Sequence, residues 1–586
     1  MPYRAPADEL RFILDHVVRF SEVTATERFA EAAPETVSAI LDEAAKLADG
    51  VLAPLQRVGD TEGAVLENGR IRTAPGFRDA YAQIAEGGWI GISGDPDHGG
   101  LGLPFTLAAS VNDMISGALL SLGLNPLLTQ GQIEALEAHA GDAMKALYLP
   151  KLISGEWTGT MNLTEPQAGS DVGALTTRAV ANGDGSYAVT GQKIFISWGD
   201  HDFGGNVCHL VLARLPDAPA GTGGISLFMV PKLIPDAGGN PGEPNALRVE
   251  SLEHKLGLHA SPTCTMGFDG ATGWLVGAEH RGMAAMFTMM NNARLQVGVQ
   301  GIGAAEGAYQ LALSYATDRK QGRTPGNGTH KGTGTGKGTG THKGSGTIID
   351  HADVRRMLVE MQAEIFAARS LALDCALSID METATGNPDW GARAALLTPI
   401  AKAHGTEVGI KVADLGIQVH GGMGYIEETG AAQFLRDVRV TAIYEGTNGI
   451  QAMDLVGRKM MDGGEAAHRL FDEGEKEAEV ARTILPDLAD TVWSAAETLR
   501  ETMEWLVEQE IQDRFAGAVA LLTASARVLG AFYHLKAACA EGGTGPRTAL
   551  ARFYIERLLP EYASLIAKAR GGAAGLYAIR PEDLAR

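Results

Sequence analysis

One glutamate stands between a bulky aromatic residue and a glycine, in the run Tyr444-Glu445-Gly446-Thr447-Asn448. The run precedes a segment of helical periodicity, so Glu445 is predicted to lie in a loop before a helix. A carboxylate held in an apolar cavity has a raised pKa and can act as a general base. The same side chain on an open loop would be a solvated carboxylate or a favourable charge near a helix N-terminus. Glu445 alone does not decide between these interpretations.

Three further segments combine glycine with polar or aromatic residues. In residues 163–171, glycine and serine free backbone N–H groups that can bind an anion, although Asp171 could instead cap a helix. Residues 187–190 and 193–197 are predicted to be two strands about a tight turn, where Phe195 is either a core aromatic or a flat face for a planar ring. In residues 418–425, just after a predicted helix, paired glycines either end the helix or admit a ligand or a second chain.

Two other glycine-rich segments have a structural interpretation. The pattern Gly298-x-x-Gly301-x-Gly303 resembles a dinucleotide-binding motif, but it lies inside a helical stretch and therefore predicts close helix packing. Residues 322–347 are rich in Gly, Thr, Lys and His and are predicted to form a flexible loop. A metal site at His330 and His342 would lack a carboxylate or thiolate ligand, so no metal is predicted.

The elements that must position these residues change in type along the chain. Helical patterns in residues 41–157 are followed by short, β-rich segments in residues 158–282 and by long helical patterns from residue 283 onward. The order favours an α+β fold with segregated helices and strands. The predicted units are a leader (1–40), an N-terminal helical domain (41–157), a middle β domain (158–282), a helical bundle (283–460) and a helical C-terminal extension (461–586).

Composition excludes several classes of protein. A chain of 586 residues requires more than one domain. Its formal net charge of -22 repels phosphate backbones and anionic membranes, so neither nucleic acid nor a membrane is an expected partner. The 4 cysteines are widely spaced, which argues against a zinc site or a disulfide scaffold. With no apparent signal peptide or transmembrane span, a cytoplasmic location is expected.

Taken together and in this order, the four segments resemble the acyl-CoA dehydrogenase family over about residues 40–460. The resemblance implies an N-terminal helical domain, a middle β domain and a helical bundle that hold FAD between them. It also implies an acyl-CoA substrate, Glu445 as the catalytic base and an electron-transferring flavoprotein as acceptor. Because the family shares its FAD site between subunits, a homodimer or homotetramer is expected.

The resemblance also implies which residues bind. The implied FAD contacts are Met161, Leu163, Thr164, Gly169 and Ser170, then Phe195, Ile196 and Ser197, then Arg319, then Gln418, Val419, His420, Gly421 and Gly422 from a neighbouring subunit, and finally Thr447 and Asn448. The implied substrate contacts are Ser170, Asn291, Arg294 and Gly446.

The chain departs from the family's usual residues at four places. Met161 replaces a frequent aromatic, and Asn291 replaces an aspartate. Gln321 replaces the phenylalanine that follows the FAD-reaching arginine, and Ala352 replaces a glutamine. The last two flank the low-complexity insertion, so the distal end of FAD is the part of the site that the sequence defines least.

The leader and the extension resemble a longer subgroup that includes the 3-methylmercaptopropionyl-CoA dehydrogenases, which implies conversion of that thioester to methylthioacryloyl-CoA. Four alternatives stay open from the sequence. They are a general short- to long-chain acyl-CoA dehydrogenase, an acyl-CoA oxidase, a nitroalkane-type oxidase, and a silent flavin-binding interaction protein. The intact run Tyr444-Glu445-Gly446-Thr447 and the net charge of -22 argue against the silent protein, and the nitroalkane enzymes usually have an aspartate base.

Overall fold

The computed structural model describes residues 3–322 and 346–585. The low-complexity segment with His330 and His342 lies outside the described residues, so the predictions of a flexible loop there, and against a metal site, stay predictions.

Helices and one short hairpin form the N-terminal layer. The helices are α1 (Ala7–His16), α2 (Phe20–Thr24), α3 (Pro34–Leu47), α4 (Gln56–Glu62), α5 (Phe77–Glu86), α6 (Phe105–His139) and α7 (Asp142–Ile153), and the hairpin pairs β1 (Val65–Glu67) with β2 (Arg70–Arg72). The predicted boundary after residue 40 is wrong because it divides α3, which begins at Pro34 after the extended Ala33. The leader helix α1 buries Leu10, Ile13 and Leu14 in the same core as the later helices.

The middle of the chain contains a large sheet, in which some strands close into a ring, and a separate two-stranded sheet of β8 and β9. The strands are β3 (Trp157–Asn162), β4 (Arg178–Ala181), β5 (Tyr187–Ser197), β6 (Asn206–Arg214), β7 (Ile225–Pro231), β8 (Leu233–Pro235), β9 (Pro241–Pro244), β10 (Leu247–Leu252) and β11 (Thr263–Val276). The large sheet runs β10-β11-β5-β4-β6-β3, and β7 pairs with both β11 and β6. The strands β11, β5, β4, β6 and β7 therefore form a ring, which separates this domain from the helical layers.

The predicted turn at Gly191-Gln192 is wrong, because β5 runs unbroken through both residues. A Cβ atom on Gly191 would lie 2.4 Å from Oγ1 and 2.9 Å from Cα of Thr177. The glycine therefore allows the chain before β4 to approach β5 closely, which is the second common reason for glycine inside a strand.

The described residues that follow the β domain are mostly helical, as predicted. Their helices are α8 (Gly282–Asp318), α9 (Ala352–Thr385), α10 (Pro388–His420), α11 (Ala431–Val438), α12 (Asn448–Asp454), α13 (Glu465–Ala481), α14 (Pro486–Val507), α15 (Ile511–Ala540), α16 (Pro546–Phe553), α17 (Glu561–Ala569) and α18 (Ala574–Tyr577). Helices α16 and α17 are separated by a π-turn at Tyr554–Leu558 and by Pro560. Proline lacks the N–H that a continuous helix requires.

Glycines bring α8 and α10 into close contact. A Cβ atom on Gly301 would lie 2.3 Å from the carbonyl oxygen of Gly405, and one on Gly405 would lie 2.4 Å from that of Gly298. The glycine pattern in α8 therefore serves helix packing, as predicted, and it fixes the distance between the two helices that flank the base.

Helices α6 and α15 are long and apolar enough to cross a membrane. The most hydrophobic stretch of α6 is 100% buried inside the protein, and that of α15 is 72% buried. Burial in the protein core accounts for the apolar composition of both helices.

Candidate active site

Glu445 lies in a short loop between a 3-10 turn (Arg439–Ala442) and helix α12, as predicted. Its backbone has φ of 57°, in the left-handed region, and Gly446 follows with φ of 84°. A non-glycine residue in that region is strained, and the strain persists only where the surroundings hold it. The half-buried carboxylate is thus aimed by backbone geometry that an ordinary loop would not adopt.

Side chains from other elements hold the loop on both sides of the base. The hydroxyl of Tyr444 donates to Oε1 of Gln300 on α8 at 2.5 Å. The amide of Gln451 on α12 donates to the carbonyl oxygens of Glu445, at 3.2 Å, and of Gly446, at 3.3 Å. These bonds satisfy the carbonyls of the strained turn and fix its conformation.

The electrostatic surroundings adjust the basicity of Glu445. Burial raises the pKa of its carboxyl to about 7, while the Arg294 guanidinium and the Lys402 ammonium act to lower it. Arg294 also lies 3.5 Å from Oδ2 of Asp454, and Lys402 donates to Oδ1 of Asn448 at 3.0 Å. A carboxylate with a pKa near the working pH can both take and hold a proton, which is the requirement for a general base.

Lys402 was not among the predicted site residues. It lies on α10 between apolar neighbours, it is fully buried, and burial lowers its pKa to about 8 although the Glu445 carboxylate acts to raise it. A lysine inside the apolar run Pro399-Ile400-Ala401-Lys402-Ala403 was the available signal, since an unpaired lysine is almost never buried.

Glu165 ties together the first two predicted flavin segments. Its Oε1 lies 2.8 Å from Nζ of Lys193 on β5, and the same Nζ donates to the carbonyl oxygen of Leu163 at 3.0 Å. Burial opposes ionisation of Glu165, but Lys193 and hydrogen bonds from Thr177 and Thr176 lower its pKa to about 2. Neither Glu165 nor Lys193 was among the predicted site residues. Their ion pair fixes residues 163–165 against β5.

Residues 195–197 alternate between the surface and the β-domain core. Phe195 has φ of 61° and is 58% exposed, so its ring face is free. Ile196 is buried in the core of the ring of strands, and Ser197 pairs with Thr263 on β11. Of the three, Ile196 has no side-chain atoms to offer a cofactor, whereas Phe195 presents an open aromatic face.

Residues 418–420 end helix α10 rather than following it. The ring of His420 stacks on Tyr315 at 4.4 Å, its Nδ1 lies 2.7 Å from the carbonyl oxygen of Gly416, and Val419 is also buried. These two side chains point into their own chain and so offer a neighbouring subunit only backbone.

By contrast, Gln418, Gly421 and Gly422 are exposed. Added Cβ atoms on the two glycines would meet nothing within 4 Å. These three residues are therefore open to a ligand or to a second chain.

The other residues predicted to contact FAD or substrate differ in their solvent exposure. Gly169, Ser170, Asn291 and Arg319 are exposed, and Met161, Leu163, Thr164, Gly446, Thr447 and Asn448 are partly buried. Arg294 is buried and faces Asp454 and Glu445, so it belongs to the surroundings of the base rather than to an open CoA surface.

Thr447 and Asn448 also have structural duties. The hydroxyl of Thr447 caps α12 by accepting from the N–H of Ile450 at 3.3 Å. The amide of Asn448 bonds Thr406 at 3.0 Å and Glu407 at 2.7 Å on α10. Both residues fix the start of the helix that follows the base.

The helical layer, the ring of strands and the helical bundle around Glu445 form the architecture that the resemblance to flavin-dependent acyl-thioester dehydrogenases implied. The chain belongs to the acyl-CoA dehydrogenase family. The family's N-terminal domain matches residues 34–156, its middle domain residues 160–271 and its C-terminal domain residues 339–461. A further domain, described as acetyl-CoA dehydrogenase C-terminal like, matches residues 470–580.

Similar proteins span most of the chain. The 3-methylmercaptopropionyl-CoA dehydrogenase of Ruegeria pomeroyi is 45% identical over 89% of this chain and 88% of its own. The fold is similar to that of Caenorhabditis elegans ACDH-11 in complex with C11-CoA, with a TM-score of 0.77, 20% identity, and 95% and 92% of the two chains covered. It is also similar to an acyl-CoA dehydrogenase complexed with FAD from Bacillus anthracis, with a TM-score of 0.73, 18% identity, and 99% and 93% covered.

Members of this family use FAD, and the protein is an FAD-dependent acyl-CoA dehydrogenase. The described residues fit a flavin. Phe195 offers an exposed ring face, and an added Cβ on Gly169 would meet nothing within 4 Å, which leaves its backbone open to a ligand. Thr164 and Ser197 add hydroxyl groups from the same two segments that the Glu165–Lys193 pair holds together. Within residues 3–322 and 346–585, no three His, Cys, Asp or Glu side chains are grouped to hold a metal ion.

Proposed function

We propose that the protein converts 3-methylmercaptopropionyl-CoA to methylthioacryloyl-CoA, with Glu445 as the base. The observation that carries the chemistry is the strained Glu445, whose pKa is raised to about 7 by burial. The substrate is supported by the 45% identity to the Ruegeria pomeroyi enzyme of that name, which extends over 89% of the chain.

The proposed reaction removes a proton from the α carbon and a hydride equivalent from the β carbon, leaving a trans double bond. Glu445 takes the proton. FAD, when bound, would supply the two-electron oxidant for the hydride. Arg294 and Lys402 limit how far burial raises the pKa of Glu445, so that enough of the base is ionised near neutral pH.

The thioester carbonyl must be polarised for the α proton to leave. Among the described residues, the backbone N–H of Glu445 donates to no protein acceptor. It is therefore free to donate to that carbonyl oxygen, where negative charge develops as the proton is removed.

Three further features belong to the proposal. The acceptor of the electrons is an electron-transferring flavoprotein, the location is the cytoplasm, and the working form is a homodimer or homotetramer. The last is supported by the exposed Gln418, Gly421 and Gly422, which leave backbone and one amide side chain open to a neighbouring subunit.

The test is anaerobic mixing of the purified protein with a panel of acyl-CoAs while flavin absorbance is followed. We expect fastest bleaching with 3-methylmercaptopropionyl-CoA. Faster bleaching with an unsubstituted chain would contradict the proposed substrate and keep the family activity. Rapid oxygen consumption during aerobic turnover would indicate an oxidase instead of the proposed flavoprotein acceptor.

A further inference from the structure

Two amide side chains are buried without hydrogen-bond partners in the helical core. Asn125 on α6 and Gln296 on α8 each have no exposed surface. Across residues 3–322 and 346–585, neither the oxygen nor the nitrogen of either amide has a partner. A buried amide with nothing to bond loses its hydration without compensation, so such a group is expected to meet a ligand or a water there.

Helices α6 and α8 pack in opposite directions through small residues. A Cβ atom on Gly131 of α6 would lie 2.9 Å from Cγ of Met289 on α8, and one on Gly117 would lie 2.9 Å from the carbonyl oxygen of Gly303. As the chain advances along α6, the contact point therefore moves backward along α8.

Gln296 stands midway between the two α8 contacts, seven residues from each, and so lies on the face that packs against α6. The matching midpoint on α6 is Leu124. Along the axis of the packed pair, Gln296 is therefore level with Leu124 and with its neighbour Asn125.

The geometry of α6 is irregular at this depth. Leu119 has φ of -156° and ψ of 75°, outside the helical region, and Pro126 lies inside the helix without an N–H to donate. Asn125 lies between these two interruptions. The regular backbone hydrogen bonding of α6 is therefore interrupted on both sides of Asn125.

The amides are connected to the base through one helical turn. Gln300 follows Gln296 by four residues on α8, and its Oε1 accepts from the hydroxyl of Tyr444, the residue before Glu445. The nitrogen of Gln300 also has no partner among the described residues. The polar groups thus extend from the base loop into the space between α6 and α8.

We propose that Asn125 and Gln296 bind the end of the acyl group and select chains that carry a heteroatom able to accept a hydrogen bond, such as a thioether sulfur. This inference rests on the proposed function. A hydrocarbon chain in the same position would leave both amides unpaired. A thioether sulfur is a weak acceptor that an amide N–H can reach, and a site built to bond a substrate atom discriminates against the analogue that lacks it.

The test compares 3-methylmercaptopropionyl-CoA with pentanoyl-CoA, in which a methylene replaces the sulfur. The rate constants of anaerobic flavin bleaching at subsaturating thioester give the ratio of the two substrates. The wild-type protein is expected to favour the thioether by about tenfold, the size of one net hydrogen bond. The near-isosteric variants Asn125→Leu and Gln296→Met are each expected to bring the ratio to within about twofold of unity.

A paired amide on the same helix supplies the control. Gln130 donates to the carbonyl oxygen of Trp89 at 3.0 Å and accepts from Asn112 at 2.9 Å. Gln130→Met should lower the melting temperature of the holoenzyme and leave the ratio unchanged. Gln296→Met should keep or raise the melting temperature, because an unpaired buried amide is replaced by an apolar group of similar size.

The outcomes separate the two proposals. A wild-type preference for the thioether that persists in both Asn125→Leu and Gln296→Met would overturn the inference and leave the proposed function standing. A melting temperature that falls as far in Gln296→Met as in Gln130→Met would also overturn it, since Gln296 would then be paired. A wild-type enzyme with no preference would overturn the proposed substrate and the inference with it.

Discussion

Glu445 has three properties that an ordinary loop carboxylate lacks. Its backbone is in the left-handed region, its neighbours on both sides are fixed by hydrogen bonds from α8 and α12, and burial raises its pKa to about 7. Burial makes the carboxylate a stronger base, and the two nearby cations keep part of it ionised. The predictions at this scale concern the proton and the cations.

Glu445→Gln should lower the rate of flavin bleaching by about 10²–10⁴-fold, because the variant cannot take the α proton. The substitution keeps the shape of the side chain and the hydrogen bonds of the loop, so FAD content should not change. Stopped-flow absorbance measures the rate, and the visible spectrum of the purified variant measures the FAD. Turnover near that of the wild type would remove Glu445 as the base.

Lys402→Met should shift the acid limb of the profile of kcat/KM against pH. The base works only when deprotonated, so kcat/KM of the wild type should rise with pH through about 7. Removing the Lys402 ammonium takes away one group that lowers this pKa, so the limb should move to higher pH. An unchanged limb would mean that Lys402 acts only by bonding Asn448, and Asn448→Ala serves as the comparison.

At the scale of elements, one buried ion pair joins two segments that the sequence separates. Glu165, before β4, and Lys193, inside β5, are both fully or nearly fully buried, and Lys193 also bonds the carbonyl of Leu163. Because Glu165 belongs to the segment of residues 163–165 and Lys193 is close to Phe195 in the chain, the ion pair fixes the position of one flavin segment relative to the other.

Lys193→Met should lower the free energy of unfolding by about 3–5 kcal/mol, since it leaves the buried Glu165 carboxylate without its cation. FAD should be lost more readily as well. Chemical denaturation and FAD release measure the two effects. Arg248→Met is the matched control, because Arg248 forms an exposed pair with Glu250 in the same domain, at 2.9 Å, that should contribute about 1 kcal/mol or less.

At the scale of the whole molecule, the C-terminal extension shares a core with the helical bundle. Helix α15 packs against α9, and Nη1 of Arg527 lies 2.6 Å from Oε2 of the fully buried Glu364. Burial opposes ionisation of Glu364, but Arg527 and Lys411 lower its pKa to about 2. The extension therefore supplies one of the two cations that keep a buried carboxylate of the bundle ionised.

Arg527→Met should destabilise the bundle and the extension together, by about 3–5 kcal/mol, as expected when a buried pair loses one partner. The melting temperature measured by flavin release and the one measured by far-UV circular dichroism should decrease together. Arg552→Met is the comparison, since Arg552 pairs on the surface, at 2.6 Å with Asp487, within the extension. A variant whose flavin site stays intact while the extension unfolds would contradict a shared core.

Short sequence patterns were sufficient to predict features that arise within one segment. The periodicity of α8, α9, α10 and α15, the short strands of the middle domain and the loop position of Glu445 follow from patterns within a few residues, and the order of the four motifs predicted the family. The turn predicted at Gly191 was wrong, because the glycine accommodates Thr177 across the sheet. The domain boundary predicted at residue 40 was also wrong, because α3 continues through it.

Which distant residues meet depends on how the helices and strands pack. Lys402 acts on Glu445 from α10, and Asn125 lies level with Gln296 because α6 and α8 pack in opposite directions at a spacing that glycines permit. Such proximity depends on how several helices pack at once, and no pattern along one helix records it. Whether a buried charge or amide is paired is therefore a property of the packed core, not of the segment that carries it.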